Sequence, residues 1–300
     1  MQYKNGIYNL QFGVQLEQKQ NIIYTKGNGL ESTEGKDEWI MNYLPYLRIN
    51  IKPERHNISI SYNGRSISAY GQKISPVLNL SDPVRLSVGN IYLRPEFYHT
   101  SSLYWNGRTD NSRLNVSMNI YNQLFQNGIV TASWFDSEGV RYSIPVNSEG
   151  LGESTSARIN GTLSLDKNRM FGLDFTLSGN HRSTISYQSL SCDLSIDRDA
   201  FDYRSLMDEF WGNSTGDRFY SGKSGFQKSR MNTWGYRAAL NFTLRKDGWY
   251  FTLGGNMDNR RTRYTLDPKA NMNTWEFAAK TELNAAKNAQ VQQAMYNMMF

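Results

Sequence analysis

Leu47-Arg-Ile-Asn-Ile-Lys52 alternates apolar and polar residues one for one. Pro53-Glu-Arg-His56 turns the chain, and Asn57-Ile-Ser-Ile-Ser-Tyr62 alternates again. Strict alternation over four to eight residues marks a strand with two unlike faces. Pro53 ends the first run because it has no N–H to give a ladder. This stretch therefore reads as strand, tight turn, strand. A long polar connection follows, from Asn63 to Arg94, and a third alternating run starts near Phe97.

The same unit recurs in both directions. Upstream, Leu10, Phe12, Val14 and Leu16 alternate with amides and Glu17. Downstream, Leu114, Val116, Met118 and Ile120 alternate with Arg113, Asn115, Ser117 and Asn119. The span 122–150 reads as an extended hairpin turning at Asp136-Ser-Glu-Gly139. The cleanest hairpin pairs Ala157–Leu165 with Phe171–Leu177 across Asp166-Lys-Asn-Arg169. The longest loop, 189–229, holds a short helix with Leu206–Phe210 and Met207–Trp211 four apart, Asp199 as its expected cap and Gly212 as its stop. Further strands are expected at Tyr236–Leu244, Trp249–Leu253 and Trp275–Lys280, with a basic loop at Asn259-Arg-Arg-Thr-Arg263 and a last run ending at Phe300.

Composition narrows the class. The chain has 300 residues, a net charge of +6 and only 39% hydrophobic residues, yet 13% aromatics. Mean hydropathy is −0.63, and no run approaches the ~18 apolar residues of a membrane helix. A membrane β-strand needs only about 9–11 residues, with every second one apolar, so low hydropathy is compatible with a barrel. Abundant Tyr and Trp suit the two interfaces of a bilayer, where a ring meets both apolar and wet surroundings. The positive charge is spread out, without the clustered block of a nucleic-acid binder. Cys192, the only cysteine, excludes an internal disulfide framework. No apolar signal segment follows Met1-Gln-Tyr-Lys-Asn-Gly, so a fragment of a longer protein is expected.

About ten or eleven strands result, joined alternately by tight turns and long loops. Outer-membrane barrels sort their connections in this way. The fold class expected is all-β: a transmembrane antiparallel up-and-down β-barrel, in one domain over 1–300, partial or closing only with further chain. A soluble sandwich would share the strand pattern but has no reason to alternate loop lengths.

A resemblance supports the barrel. Leu44–Ile51, Asn57–Tyr62 and Ile74–Glu96 resemble the barrel region of TonB-dependent outer-membrane receptors, nearest to the outer-membrane β-barrel families of that group. Their mark is Gly-Asn-Pro-x-Leu-Lys-Pro-Glu; here it reads Gly89-Asn-Ile-Tyr-Leu-Arg-Pro-Glu96, with Ile91 and Arg94 departing from the pattern. The resemblance implies energised uptake of a scarce solute: a siderophore, cobalamin or an oligosaccharide. It implies outer-membrane lipid and TonB as partners, the latter acting through a plug domain that this sequence does not show. Such receptors have roughly twice this many strands, so Phe300 reads as a truncation.

No catalytic, cofactor-binding or metal-ligating set emerges. His56, His99 and His181 lack metal-ligand spacing, and no nucleophile or phosphate-loop motif occurs. Asp197-Arg-Asp-Ala-Phe-Asp202 lacks the glycine and glutamate of a calcium loop. The Asn-x-Ser/Thr triplets at Asn57, Asn115, Asn160 and Asn241 fall inside strands, where Asn and Ser/Thr fill a polar face. Ligand contact is expected of long external loops, at Trp211, Arg218, Tyr220, Arg260, Arg261 and Arg263. Two other readings stand beside the receptor: a small outer-membrane barrel enzyme, and a soluble secreted β-sandwich that binds glycans.

Overall fold

The computed structural model describes residues 2–22, 37–189, 194, 196–211, 226–246 and 249–285. Eleven strands follow one another as antiparallel neighbours: β1 (Gln2–Asn5), β2 (Tyr8–Ile22), β3 (Asp37–Ile51), β4 (His56–Ile67), β6 (Glu96–Arg108), β7 (Leu114–Gln126), β10 (Gly152–Ser164), β11 (Phe171–Gln188), β12 (Gln227–Lys246), β13 (Trp249–Tyr264) and β14 (Met272–Ala285). Three short strands leave this path: β5 (Arg85–Ser87), β8 (Ile129–Phe135) and β9 (Arg141–Asn147). Among the described residues no pairing joins β1 to β14, so the sheet is an open arc. The run expected to end at Phe300 lies outside the described residues.

The expected hairpin 157–177 is present in register, with Ile159 opposite Leu177 and Leu163 opposite Leu173. Its turn is fixed by Asp166, whose carboxylate accepts from the backbone N–H of Phe171 at 2.8 Å and of Asn168 at 3.1 Å. Tight turns also join β3 to β4 and β6 to β7 at the same end of the strands. The connections that span 68–95, 127–151 and 189–226 gather at the other end.

Register separates the two faces of the wall. On one face, cross-strand rows read Phe171–Leu244–Phe251–Leu283, then Leu173–Phe242–Leu253–Thr281, Phe175–Leu240–Gly255–Ala279 and Leu177–Ala238–Met257–Phe277. The next row, Gly179–Tyr236–Asn259–Trp275, brings aromatics, and His181 stacks on Trp234 just above it at 5.2 Å. Ten residues of β12 separate Leu244 from Trp234. That is about 34 Å of strand, or about 25 Å along the normal at a tilt near 45°, the height of a barrel's apolar band. These rows are not covered by protein: Leu240 is 54%, Leu253 53% and Phe277 73% exposed. A sandwich would bury these side chains against a second sheet; here they face outward, and the sandwich reading is set aside. The opposite face carries Asn, Ser, Thr, Arg and Asp, as a wet lumen requires.

The dry core lies elsewhere. At the long-loop end, β8 pairs parallel with the end of β11, antiparallel with β9, and β9 pairs parallel with β5. This small sheet continues the wall beyond β10. Ile185 and Tyr187 of β11 share the outward face of Phe171–Leu177 by period two, but here that face is covered. Ala132, Trp134, Tyr142, Ile144, Val146 and Leu86 are buried with it. The cover is α1 (Tyr203–Trp211), which buries Tyr203, Leu206, Met207, Phe210 and Trp211 at helical spacing. The helix expected in the longest loop is thus present, but Asp202, not Asp199, caps it. The Asp202 carboxylate accepts from Arg204 N at 3.1 Å and Ser205 Oγ at 2.6 Å. Asp199 lies upstream, donating its N–H to Asp197.

The Gly89–Glu96 motif fastens this cap to the wall. A Cβ at Gly89 would lie 2.4 Å from Ser75 N and 2.5 Å from Gln72 O, both backbone atoms, so only glycine fits. Asn90 is 2% exposed; its amide donates to Pro145 O at 3.0 Å and accepts from Tyr92 N at 2.9 Å. Ile91 N donates to the Tyr203 hydroxyl at 3.1 Å, tying the motif to α1. Asn147, 1% exposed, accepts from Arg94 N at 2.8 Å and donates to Arg94 O at 2.9 Å and Asn127 O at 2.8 Å. Glu96 closes the clamp, accepting from Ile129 N at 2.5 Å and from the Tyr98 hydroxyl at 2.8 Å.

Candidate functional site: a basic wall below a folded cap

The inward face of the later strands carries a charged row. Arg158, Ser178, Arg237, Asp258 and Glu276 stand side by side across β10 to β14. Each is there by period: these are the positions between the outward Leu, Phe and Met residues. Arg260 lies one row nearer the cap, opposite Gly235, and Arg182 one row further, opposite Thr233. Together they line a basin of about 1200 Å³. Four guanidiniums against two carboxylates leave it positive.

Local bonds hold the row open. Arg237 Nε donates to Asp258 Oδ1 at 2.5 Å, and Asn256 holds the other carboxylate oxygen at 2.8 Å. Arg158 Nε donates to Asn160 Oδ1 at 3.1 Å, which also accepts from Thr176. Arg260 is exposed, and no ion pair engages it among the described residues. A pair facing water contributes little stability, about 0–1 kcal/mol. The Arg237–Asp258 pair therefore adds little to the stability of the fold.

The expected ligand residues do not converge. Arg260, Arg261 and Arg263 belong to β13, not to a loop, because their row continues the pairing with β12 and β14. Alternation then splits them: Arg260 faces the lumen, while Arg261 and Arg263 face outward beside Trp234 and Asn232. Trp211 is 1% exposed in the cap core, with its ring edge-on to Phe210 at 5.0 Å, so its surface is spent on packing. Arg218 and Tyr220 lie outside the described residues. Reading the residues alone missed Arg158 and Arg237, which occupy polar slots of recognised strands, and Arg182, which lies on β11 beyond the run recognised to Leu177.

The cap is neutral at its heart. Burial raises the phenols of Tyr203 and Tyr142, so both stay protonated at any working pH. Trp134 Nε1 donates to Leu194 O at 2.9 Å, and its ring stacks on Tyr142 at 5.5 Å. Among the described residues no group of three or more His, Cys, Asp or Glu could hold a metal ion. The sequon-like Asn57, Asn115, Asn160 and Asn241 all lie in strands, as their period implied.

No curated protein matches the chain. A family model described as the outer membrane protein beta-barrel family matches residues 1–298, almost the whole length. The outward apolar rows, the aromatic band and the sorted connections are what such a protein needs. The chain belongs to the outer membrane protein β-barrel family and resides in the cell outer membrane.

Proposed function

We propose that this chain forms the barrel wall of a TonB-dependent receptor that imports a scarce solute. The observation that carries the reading is the basic inward row of Arg158, Arg182, Arg237 and Arg260 below a folded cap. A closed barrel of about eight strands is just filled by its own side chains, so a wall of eleven strands belongs to a wider interior than side chains can fill. Water, solute or a second protein segment must occupy the remainder. A positive wall suits an anionic solute or the acidic surface of a plug, and the cap stands at the external end, where capture occurs. The motif at Gly89–Glu96, shared with such receptors, adds to the reading. The reading assigns the chain no reaction.

The test is uptake in the source bacterium, with the coding sequence intact or deleted. Cells are given ⁵⁵Fe-loaded siderophore, labelled cobalamin or labelled oligosaccharide, with and without a protonophore. The receptor reading expects one probe whose uptake needs both the gene and the proton-motive force. Uptake that needs the gene but ignores the protonophore would indicate a passive pore and sink the proposal.

A further inference from the structure

Arg261 and Arg263 point away from the lumen, toward the side that carries Leu240 and Phe277. They sit on two successive outward rows, His181–Trp234–Arg261–Asn273 and Ser183–Asn232–Arg263. Arg230 follows on the next row, opposite Ile185, donating to Ser183 Oγ at 3.2 Å. These rows stand directly above the Tyr236 and Trp275 band. Successive outward residues on a strand are about 7 Å apart, so three guanidiniums climb the outer surface where the apolar band ends. Arg261 and Arg263 are exposed, and no ion pair engages either among the described residues. Glu153, on the row of Arg263 but two strands beyond Asn232, has other partners, accepting from Asn122 and Thr155. Asp267 accepts from Lys269 N.

The surface is hollowed to match. A groove of about 620 Å³ runs between Trp234, Arg261, Arg263, Asn271 and Asn273. Immediately below, on the same strands, a second hollow of about 640 Å³ is lined by Leu177, Ala238, Leu240, Gly255, Phe277 and Ala279. A cation at the lipid boundary is favourable when an anionic headgroup faces it. Guanidinium matches a phosphate with two parallel hydrogen bonds, and the Trp and Asn side chains suit a sugar ring and its hydroxyls. We propose that this outer face of β12–β14 binds the phosphate-bearing headgroup of an outer-leaflet glycolipid, with an acyl chain seated in the hollow below. The inference rests on the membrane placement of the wall and not on the transport reading.

The test uses the full chain folded in detergent and titrated in nanodiscs with bisphosphorylated lipid A, binding being read by native mass spectrometry. Folding of each variant is checked by its heat-modifiable mobility on a gel. The wild type is expected to retain the lipid, and the Arg261→Gln/Arg263→Gln double variant to bind at least tenfold more weakly. Arg261→Lys/Arg263→Lys should fall between them, and Lys167→Gln, in a turn at the far end, should match the wild type. Equal binding of the dephosphorylated glycolipid would overturn the proposal. So would displacement by millimolar inorganic phosphate, which would mark a free-anion site, or equal losses in Lys167→Gln and the double variant. A folded double variant that binds as the wild type does would also overturn it.

Discussion

Asn147→Ala should release the cap while leaving the wall folded. Asn147 makes three hydrogen bonds to backbone: one accepted from Arg94 N and two donated, to Arg94 O and Asn127 O. Alanine leaves one N–H and two carbonyls without these partners. Each buried group left unsatisfied costs about 1–3 kcal/mol. Arg94 and Asn127 are only half-buried, so water recovers part of that loss, and about 3 kcal/mol is a reasonable sum. At 1.4 kcal/mol per tenfold, the open cap becomes roughly a hundredfold more populated. Limited proteolysis of detergent-folded protein reads this directly when cleavage tracks the open population. New cuts should fall within 68–95 and 127–151, with β10 to β14 intact. Asn147→Asp should be at least as damaging, since it sets a carboxylate against two carbonyl oxygens. If both variants fold and resist protease as the wild type does, the clamp is not what holds the cap, and the reasoning fails.

Other perturbations follow from the same structure. Leu240→Arg places a cation on the outward face near the band's middle and should destabilise by about 2–4 kcal/mol; Asn241→Arg, one residue on, faces the lumen and should be nearly neutral, both read by urea unfolding in lipid. Phe210→Ala empties a buried aromatic site beside Trp134 and Trp211 and should cost the cap about 3–5 kcal/mol, seen as a shifted tryptophan emission with barrel mobility unchanged. The Asp166 carboxyl is held below its ordinary range, first by the backbone N–H of Phe171. Its folded pKa is the lower one, so its contribution is present above the unfolded value near 3.9 and is lost as pH falls through the folded value. An NMR titration should place it below 3.9, and Asp166→Asn should remove the pH dependence of that turn.

The wall was legible because its signal is local. Ala157–Leu165 and Phe171–Leu177 alternate without interruption, and Asp166 supplies the turn chemistry between them. The hairpin turning at Asp136–Gly139 and the helix through Leu206–Trp211 were legible too, but not that they pack together as a cap. Val130, Ala132 and Trp134 alternate just as Leu240 and Phe242 do, and period two states that a face is apolar, not whether lipid or α1 covers it. The motif at Gly89–Glu96 marked one half of the clamp, but its partner Asn147 lies 53 residues beyond Arg94 and carries no local sign. Asn259–Arg263 reads as a loop because four of its five residues are Asn or Arg. The cross-strand rows show instead that alternate faces of one strand are both polar above the band. Arg158 and Arg237 occupied recognised polar slots, yet only register reveals that they stand in one row.

The account depends on the wall having hydrocarbon on one side and water on the other. With Cys192 replaced, single cysteines from 238 to 243 along β12 would carry a nitroxide label in liposomes, each tested for collision with oxygen and with a water-soluble nickel chelate. Labels at 238, 240 and 242 should favour oxygen, and those at 239, 241 and 243 the chelate, in strict alternation. Accessibility that does not alternate, or that alternates with the opposite phase, would contradict it.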